Sequence, residues 1–532
     1  MAEKRVLFKI NNLKQYFPLK KKGVYVKAND GITLNIYEGE TLGLVGESGC
    51  GKSTMGRTLL KLYEATDGKI MYNGRSILDV APEYAFKTIN GLKGAKAKML
   101  DLQKDLAKKE AEAQKKGWLK EDAAESQERF NALAHLAEAR KAAHDATFDI
   151  TSIIGGLVVL DNLDPVIEAH KRLFDKALER KKVHEKRRLT HVQLEDARFR
   201  SENGKGSNEK IKSLESSIQQ MDKDILHKDD ELRAILLSID ELRKPHLGNP
   251  EFMAYDRDRD GAVDLARLTY NEMRDLRVDM QLIFQDPYSS LDSRMTVGQI
   301  VGEGLLTHKH FLRNDDRMKA KVLKVMEDTG LAPYFLHRYP HQFSGGQRQR
   351  IGIARALSLS PKFIVCDEAV SALDVSIQSQ IINLLQELKD RENLTYLFIT
   401  HDLAVVKYIS DRIAVMYLGV IVELASTQDI FSCPMHPYTE ALLSAIPTAD
   451  ENESRELVVL EGDIPSPVNP PPGCKFHTRC KYATDICKHV VPELEEITPG
   501  HLVACHHRLG TVCETNMMPA DELVTQAEGS GL

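Results

Sequence analysis

Apolar residues in the first 80 positions come in short runs separated by turn signals. Asp67-Gly68 and Asn73-Gly74 bracket one such run, Lys69 to Tyr72, and predict a short strand there. A helix is predicted over Thr54 to Tyr63. From about residue 82 to 255 the pattern changes to long, charged helical segments. Between Ile211 and Leu242, apolar residues stand at 211, 214, 218, 221, 225, 232, 235, 239 and 242, a three-four alternation with one gap at Lys228. That spacing, sustained over several heptads, predicts a coiled coil. Segments 92–145 and 165–200 read as helices with a less regular stripe. Asn203 to Asn208 is a polar break, and His246-Leu247-Gly248-Asn249-Pro250 ends the helical pattern. Residues 82–260 are therefore expected to form a helical hairpin or small bundle, inserted between the halves of a globular unit, 1–81 and 261–433. In the second half, Met280 to Phe284, Phe363 to Cys366 and Leu397 to Ile399 are predicted strands alternating with helices. That order implies an α/β fold with a mainly parallel sheet, beside a small antiparallel lobe near the N-terminus. Beyond Pro434, the prolines at 465, 467, 470, 471 and 472 mark a small C-terminal domain, 434–515, ahead of a flexible tail, 516–532.

Bulk composition narrows the classes. The chain has 532 residues, 42% of them hydrophobic, enough for a sizeable core. A formal net charge of −6 gives no reason to expect nucleic acid as a partner. The richest apolar run, Ile153 to Leu160, falls far short of the ~20 residues that span a bilayer. Met-Ala-Glu-Lys-Arg at the start lacks the apolar core of a signal peptide, so a cytoplasmic chain is expected. In such a reducing compartment the four cysteines clustered near the C-terminus suggest metal before disulfide.

Two short motifs carry the chemistry. Gly46-Glu47-Ser48-Gly49-Cys50-Gly51-Lys52-Ser53-Thr54 has the form GxxxxGK[ST]. In that loop successive backbone N–H groups form an anion nest, the lysine reaches the β/γ-phosphates, and the serine hydroxyl faces Mg²⁺. Ser344-Gly345-Gly346-Gln347 opens a predicted helix whose N-terminus suits a γ-phosphate. The pair in this order identifies an ATP-binding cassette. Ile364-Val365-Cys366-Asp367-Glu368 is an apolar strand ending in two acids. Asp367 is placed to hold Mg²⁺, and Glu368 to polarise the attacking water. Gln285, after a strand, resembles the Q-loop glutamine of these ATPases, whose amide reaches Mg²⁺ and the lytic water. His401, after Phe398-Ile399-Thr400, resembles the switch histidine that contacts the γ-phosphate. Ser371-Ala372-Leu373-Asp374 matches the D-loop, which crosses to a second monomer. Tyr16, Phe17 and Tyr25 are all candidates to stack on adenine.

Three longer stretches narrow the resemblance. Residues 346–357, 371–378 and 436–447 are similar to the oligopeptide/dipeptide importer ATPases, in particular the "F" subunit of their unlike ATPase pair. The similarity covers about 5–80 and 265–510 and omits the helical insertion. Ala369 stands where the family usually has proline. The resemblance implies ATP held between two ATPase subunits, two membrane permeases driven by them, an extracellular peptide-binding lipoprotein, and a place on the cytoplasmic face of the membrane. Related ATPases serve nickel, glutathione or sugars, which fold-level likeness does not separate. Chromosome-maintenance and DNA-repair cassettes also carry coiled coils. Here the insertion enters before Gln285 and leaves the later motifs together, which argues against that class.

Cys474, Cys480, Cys487 and Cys505 supply four thiolates, the number taken by tetrahedral zinc or by a [4Fe–4S] cluster. The family resemblance implies the iron–sulfur cluster. His477, His489, His501, His506 and His507 crowd the region and are expected to be solvated. Cys50 and Cys366 read as packing residues, and Cys433 and Cys513 belong to no motif. Asp256-x-Asp258-x-Asp260-Gly261 imitates a calcium loop, but Arg267 stands where a bidentate glutamate is needed, so a turn is expected.

Overall fold

The computed structural model describes residues 4–118, 127–445, 460 and 462–509. The predicted tail and Cys513 lie outside them. Two sheets organise the cassette. The smaller is antiparallel, in the order β2 (Tyr25–Tyr37), β1 (Val6–Pro18), β4 (Asp67–Tyr72), β5 (Val263–Asp264). The larger has eight strands. Its parallel part runs β9 (Arg412–Tyr417), β3 (Thr41–Val45), β8 (Thr395–Ile399), β7 (Phe363–Asp367), β6 (Met280–Ile283). Strands β3, β7 and β8 are buried along their whole length, as continuous apolar runs in a sheet covered on both faces should be. Strand β10 (Val420–Ser426) turns back antiparallel to β9. The C-terminal strands β11 (Glu495–Thr498) and β12 (His501–Val503) then continue the same sheet through β10. The cysteine-bearing region is thus joined to the cassette by strand pairing.

The insertion leaves and re-enters at one point. Strand β4 pairs with β5 at Tyr72–Val263, and Ile77 N–H donates to the Gly261 carbonyl at 2.8 Å. The helix Leu92–Lys115 packs on Gln127–Ile154, and Asp164–Glu202 packs on Asn208–Arg243. In the second pair, ionic contacts between residues 176 and 231, 180 and 229, 187 and 222, and 198 and 215 place the helices antiparallel. Ile218, Met221, Ile225, Leu232 and Ile239 are buried in the seam. The gap in the apolar stripe is filled by polarity, since Lys228 Nζ donates to Glu179 at 2.6 Å. The base of the insertion shares the cassette core, where Tyr84, Ile89, Ile150 and Leu157 pack into one cluster with Phe8, Ile70 and Leu44. Asp256 and Asp258 accept from Gly156 N–H and the Thr151 hydroxyl, at 3.1 and 2.6 Å, and Asp256 also pairs with Arg243. The acidic turn is therefore spent on protein contacts, as a re-entry turn should be. Among the described residues no helix is long and apolar enough to cross a membrane.

Candidate functional site

The loop between β3 and the helix Lys52–Leu59 is shaped by backbone that only glycine tolerates. Gly46, Gly49 and Gly51 have φ of 151°, 82° and 105°. A Cβ on Gly46 would lie 2.1 Å from the Met416 carbonyl oxygen, and one on Gly51 2.1 Å from that of Ala28. The loop therefore closes tightly against β9 and the residues before Asn29. Lys52 is buried, and its ammonium donates to the carbonyls of Gly46 and Glu47 at 2.7 and 3.0 Å. Asn29 Nδ2 holds the Gly51 carbonyl at 3.0 Å from the other side.

The acid strand meets this loop at its open end. The Ser53 hydroxyl donates to Asp367 Oδ1 at 2.5 Å, and Arg57 Nη2 donates to Oδ2 at 3.1 Å. Ser53 and Asp367 together make the hard oxygen pair that suits Mg²⁺. Glu368, one residue on, sits at φ 46°, a left-handed state unusual for glutamate. Its N–H is held by the Ile399 carbonyl at 2.9 Å, which fixes the turn at the end of β7. Gln285 Nε2 donates to Glu368 Oε2 at 2.6 Å, and His401 Nδ1 lies 3.5 Å from Oε1. Two residues, from the ends of β6 and β8, therefore converge on the carboxylate at the end of β7. Burial pushes the Cys366 thiol well above its usual range and raises that of Cys50, in keeping with packing roles.

Ser344 and its neighbours open a helix that packs in a different core. Ser344 caps the helix Gly345–Leu357 by accepting from Gln347 N–H, and the Gln347 side chain returns to the Ser344 N–H at 3.2 Å. That helix packs in a second core with Val297, Val322 and Ile382, apart from the core around the phosphate loop. Asp374 precedes the helix Val375–Glu392 without a side-chain capping bond, and Val375 beside it is 78% exposed. Of the adenine candidates, Tyr16 donates its hydroxyl to Asp30, Phe17 stands edge-on to Tyr63, and Tyr25 is exposed.

Of the four C-terminal thiols, that of Cys487 is buried and those of Cys474, Cys480 and Cys505 are partly exposed. Cys474 N–H donates to the Cys487 carbonyl at 2.8 Å. Burial, and then the neighbouring thiols, push Cys505 up to about 12 and Cys474 up to about 11. Among the described residues, no three His, Cys, Asp or Glu side chains are grouped so as to hold a single metal ion. One histidine corrects the sequence reading. His501 is buried, with Nε2 2.7 Å from Glu423, because Glu423 lies on β10, the strand paired with β12; Glu423 also accepts from Met435 and His436 N–H. Arg57 and Arg479 touch the site but stand in no motif that spacing would reveal, and Tyr438, within the 436–447 stretch, carried no expected role at the loop.

The ABC transporter family model matches residues 29–154 and 253–371. The model of the oligopeptide/dipeptide transporter C-terminal region matches 422–487. The oligopeptide transport ATP-binding protein AppF of Bacillus subtilis is 52% identical over 246 residues, 46% of this chain and 74% of its own. OppF of Salmonella typhimurium, of the same description, is 53% identical over 247 residues, 46% of this chain and 72% of its own. A Brucella ovis protein, provisionally named a peptide import ATP-binding protein, is 56% identical over 246 residues, 46% of this chain and 77% of its own. The chain belongs to the oligopeptide/dipeptide branch of the ABC transporter ATPases. As an ABC ATPase it binds ATP with Mg²⁺ and hydrolyses it. Its family works as paired ATPases on membrane permeases.

Proposed function

We propose that this chain powers a membrane importer of oligopeptides or dipeptides from the cytoplasmic face. The match of 422–487 to the peptide-transporter C-terminal region, on a cassette with intact ATP motifs, carries this reading. The loop Gly46 to Thr54 cradles the phosphates, with Lys52 as the counter-charge. Ser53, Asp367 and Gln285 hold Mg²⁺, which when bound neutralises charge on the β- and γ-phosphates. Glu368 takes the attacking water's proton, and Gln285 and His401 orient that carboxylate and the γ-phosphate. Ser344 to Gln347 and Asp374 serve the ATP of a second, homologous ATPase subunit. Closing on ATP and reopening after hydrolysis switches two permease subunits, to which an extracellular lipoprotein delivers the peptide. Cys474, Cys480, Cys487 and Cys505, of which Cys487 is buried and the others partly exposed, are the residues that would hold a [4Fe–4S] cluster, a reading that rests on the family resemblance.

The decisive experiment tags this chain, solubilises native membranes gently and identifies stoichiometric partners by mass spectrometry. The purified complex is then placed in vesicles and offered labelled peptides, nickel, glutathione or sugars with ATP. Two permeases, a sister ATPase and peptide uptake are expected. Uptake of one of the other solutes alone would replace the substrate assignment, and co-purification with DNA-associated proteins would overturn the transport reading. Iron and sulfide analysis of the same complex tests the cluster.

A further inference from the structure

The C-terminal region reaches the phosphate-binding loop directly. Arg479, adjacent to Cys480, donates from Nη1 to Glu47 Oε2 at 2.8 Å and from Nη2 to Oε1 at 3.1 Å. This is the bidentate geometry in which a guanidinium holds a carboxylate most firmly. The Arg479 side chain is 6% exposed. On the other side, Glu47 N–H donates to the Tyr438 hydroxyl at 2.9 Å. One loop residue is thus held by its side chain and its main chain, by partners 432 and 391 positions away.

The anchors are themselves fixed. Tyr417, Tyr438 and Phe476 form a buried aromatic cluster, with ring centroids 4.8, 5.2 and 5.3 Å apart. Lys475 ties the same segment to Asp30 at 2.9 Å and to the Leu418 carbonyl at 3.0 Å. Glu47 also supplies one of the two carbonyls that receive Lys52 Nζ. Its orientation therefore bears on the lysine that meets the phosphates. A loop with three glycines at positive φ has freedom that ligand binding must remove, and a clamp on its non-glycine residue removes part of it beforehand.

We propose that Arg479, with Tyr438 as second anchor, is a positioning residue for the phosphate-binding loop, which makes the four-cysteine region a working part of the ATP site. The proposal rests on the nucleotide role of the loop and is independent of the transported substrate.

The test uses the full transporter complex carrying R479Q, R479K, E47Q, Y438F or the double variant E47Q/R479Q. Readouts are nucleotide affinity, the KM and kcat of ATP hydrolysis, and the thermal midpoint. R479Q is expected to raise the dissociation constant and KM for ATP about tenfold or more, the scale of losing one partner of a buried charge pair. kcat should fall less. R479K should recover part of the affinity, and the double variant should be no weaker than R479Q. Y438F should weaken ATP binding by a smaller factor at an unchanged thermal midpoint. Unchanged KM with a lowered midpoint in R479Q, or additive effects in the double variant, would overturn the proposal. If R479Q does not assemble, unchanged KM in both E47Q and Y438F overturns it alone. Failure of the unaltered complex to bind ATP would instead refute the nucleotide-site reading beneath it.

Discussion

Glu368 shows how much one side chain depends on its frame. A non-glycine residue at positive φ costs about 1–3 kcal/mol and persists only where its surroundings impose it. Here the Ile399 carbonyl holds its N–H, and Gln285 and His401 flank its two oxygens. The carboxylate therefore has little freedom to turn. Glu368→Gln keeps the shape and loses the base. Hydrolysis should fall ~10²–10³-fold, in the range of a lost general base, while ATP affinity stays nearly unchanged. Phosphate release and nucleotide binding, measured on the assembled complex, separate the two effects; parallel loss of both would mean the substitution disturbed the loop instead. Glu368, Gln285 and His401 were legible because each follows an apolar strand at a recognisable spacing. The contacts of Arg57, Tyr438 and Arg479 with the loop and Asp367 were not, even though Tyr438 lies in the recognised 436–447 stretch, since their partners lie hundreds of residues away and no local pattern marks a clamp.

The insertion was legible as helices, and its stripe marked the buried residues of the Asn208–Arg243 helix. Periodicity gave neither its partner helix nor the meaning of the gap at Lys228, which a cross-helix ion pair fills. Strands β11 and β12 escaped notice because four and three residues are too few for a pattern to register. The insertion also carries a pH dependence. His170, on the helix Asp164–Glu202, is buried, with Nδ1 2.9 Å from the Val166 carbonyl. Burial is the main reason its pKa drops to about 4, and Arg259 and Arg243 add to the effect against the help of Val166. In the unfolded chain it titrates near 6.5. Above that pH both states are neutral and the stability is intact. Below it the unfolded state takes a proton that the folded state refuses until about pH 4. Stability should therefore fall by about 2–3 kcal/mol as pH drops through this window. Denaturation of the full chain at pH 7 and pH 4.5 should show a smaller loss for His170→Leu than for the unaltered chain. Equal losses would show that His170 is not a source of the dependence.

At the scale of the molecule, the insertion is a strut between two bodies of one cassette. Its base belongs to the antiparallel sheet, where Lys69 and Lys141 pair with Asp149 and Asp67 and Arg180 meets Asp79 at 2.6 Å. Farther along, Arg188 donates to the carbonyls of His308 and Lys309, and Asp196 accepts from Arg313 at 2.6 Å and lies 3.5 Å from Arg317 Nη2. The Arg317 guanidinium also lies over the Phe199 ring, 4.8 Å from its centre. Arg317 is on the helix Asp316–Asp328, which packs against the helix opened by Ser344. The strut therefore links the antiparallel sheet to the helical body that carries Ser344. Asp196 is buried and central to that link, so Asp196→Ala should weaken the docking by about 1–3 kcal/mol, a figure held down by the half-exposed Arg313. Hydrogen exchange across 316–328 should then speed up about tenfold or more, with protection of β3 and β7 unchanged, because only sub-global opening of that body is affected. If exchange there matches the unaltered chain, the contact is incidental and the bodies are held by their direct packing alone. If β3 and β7 also lose protection, Asp196 supports the whole fold and the strut is not a separable device.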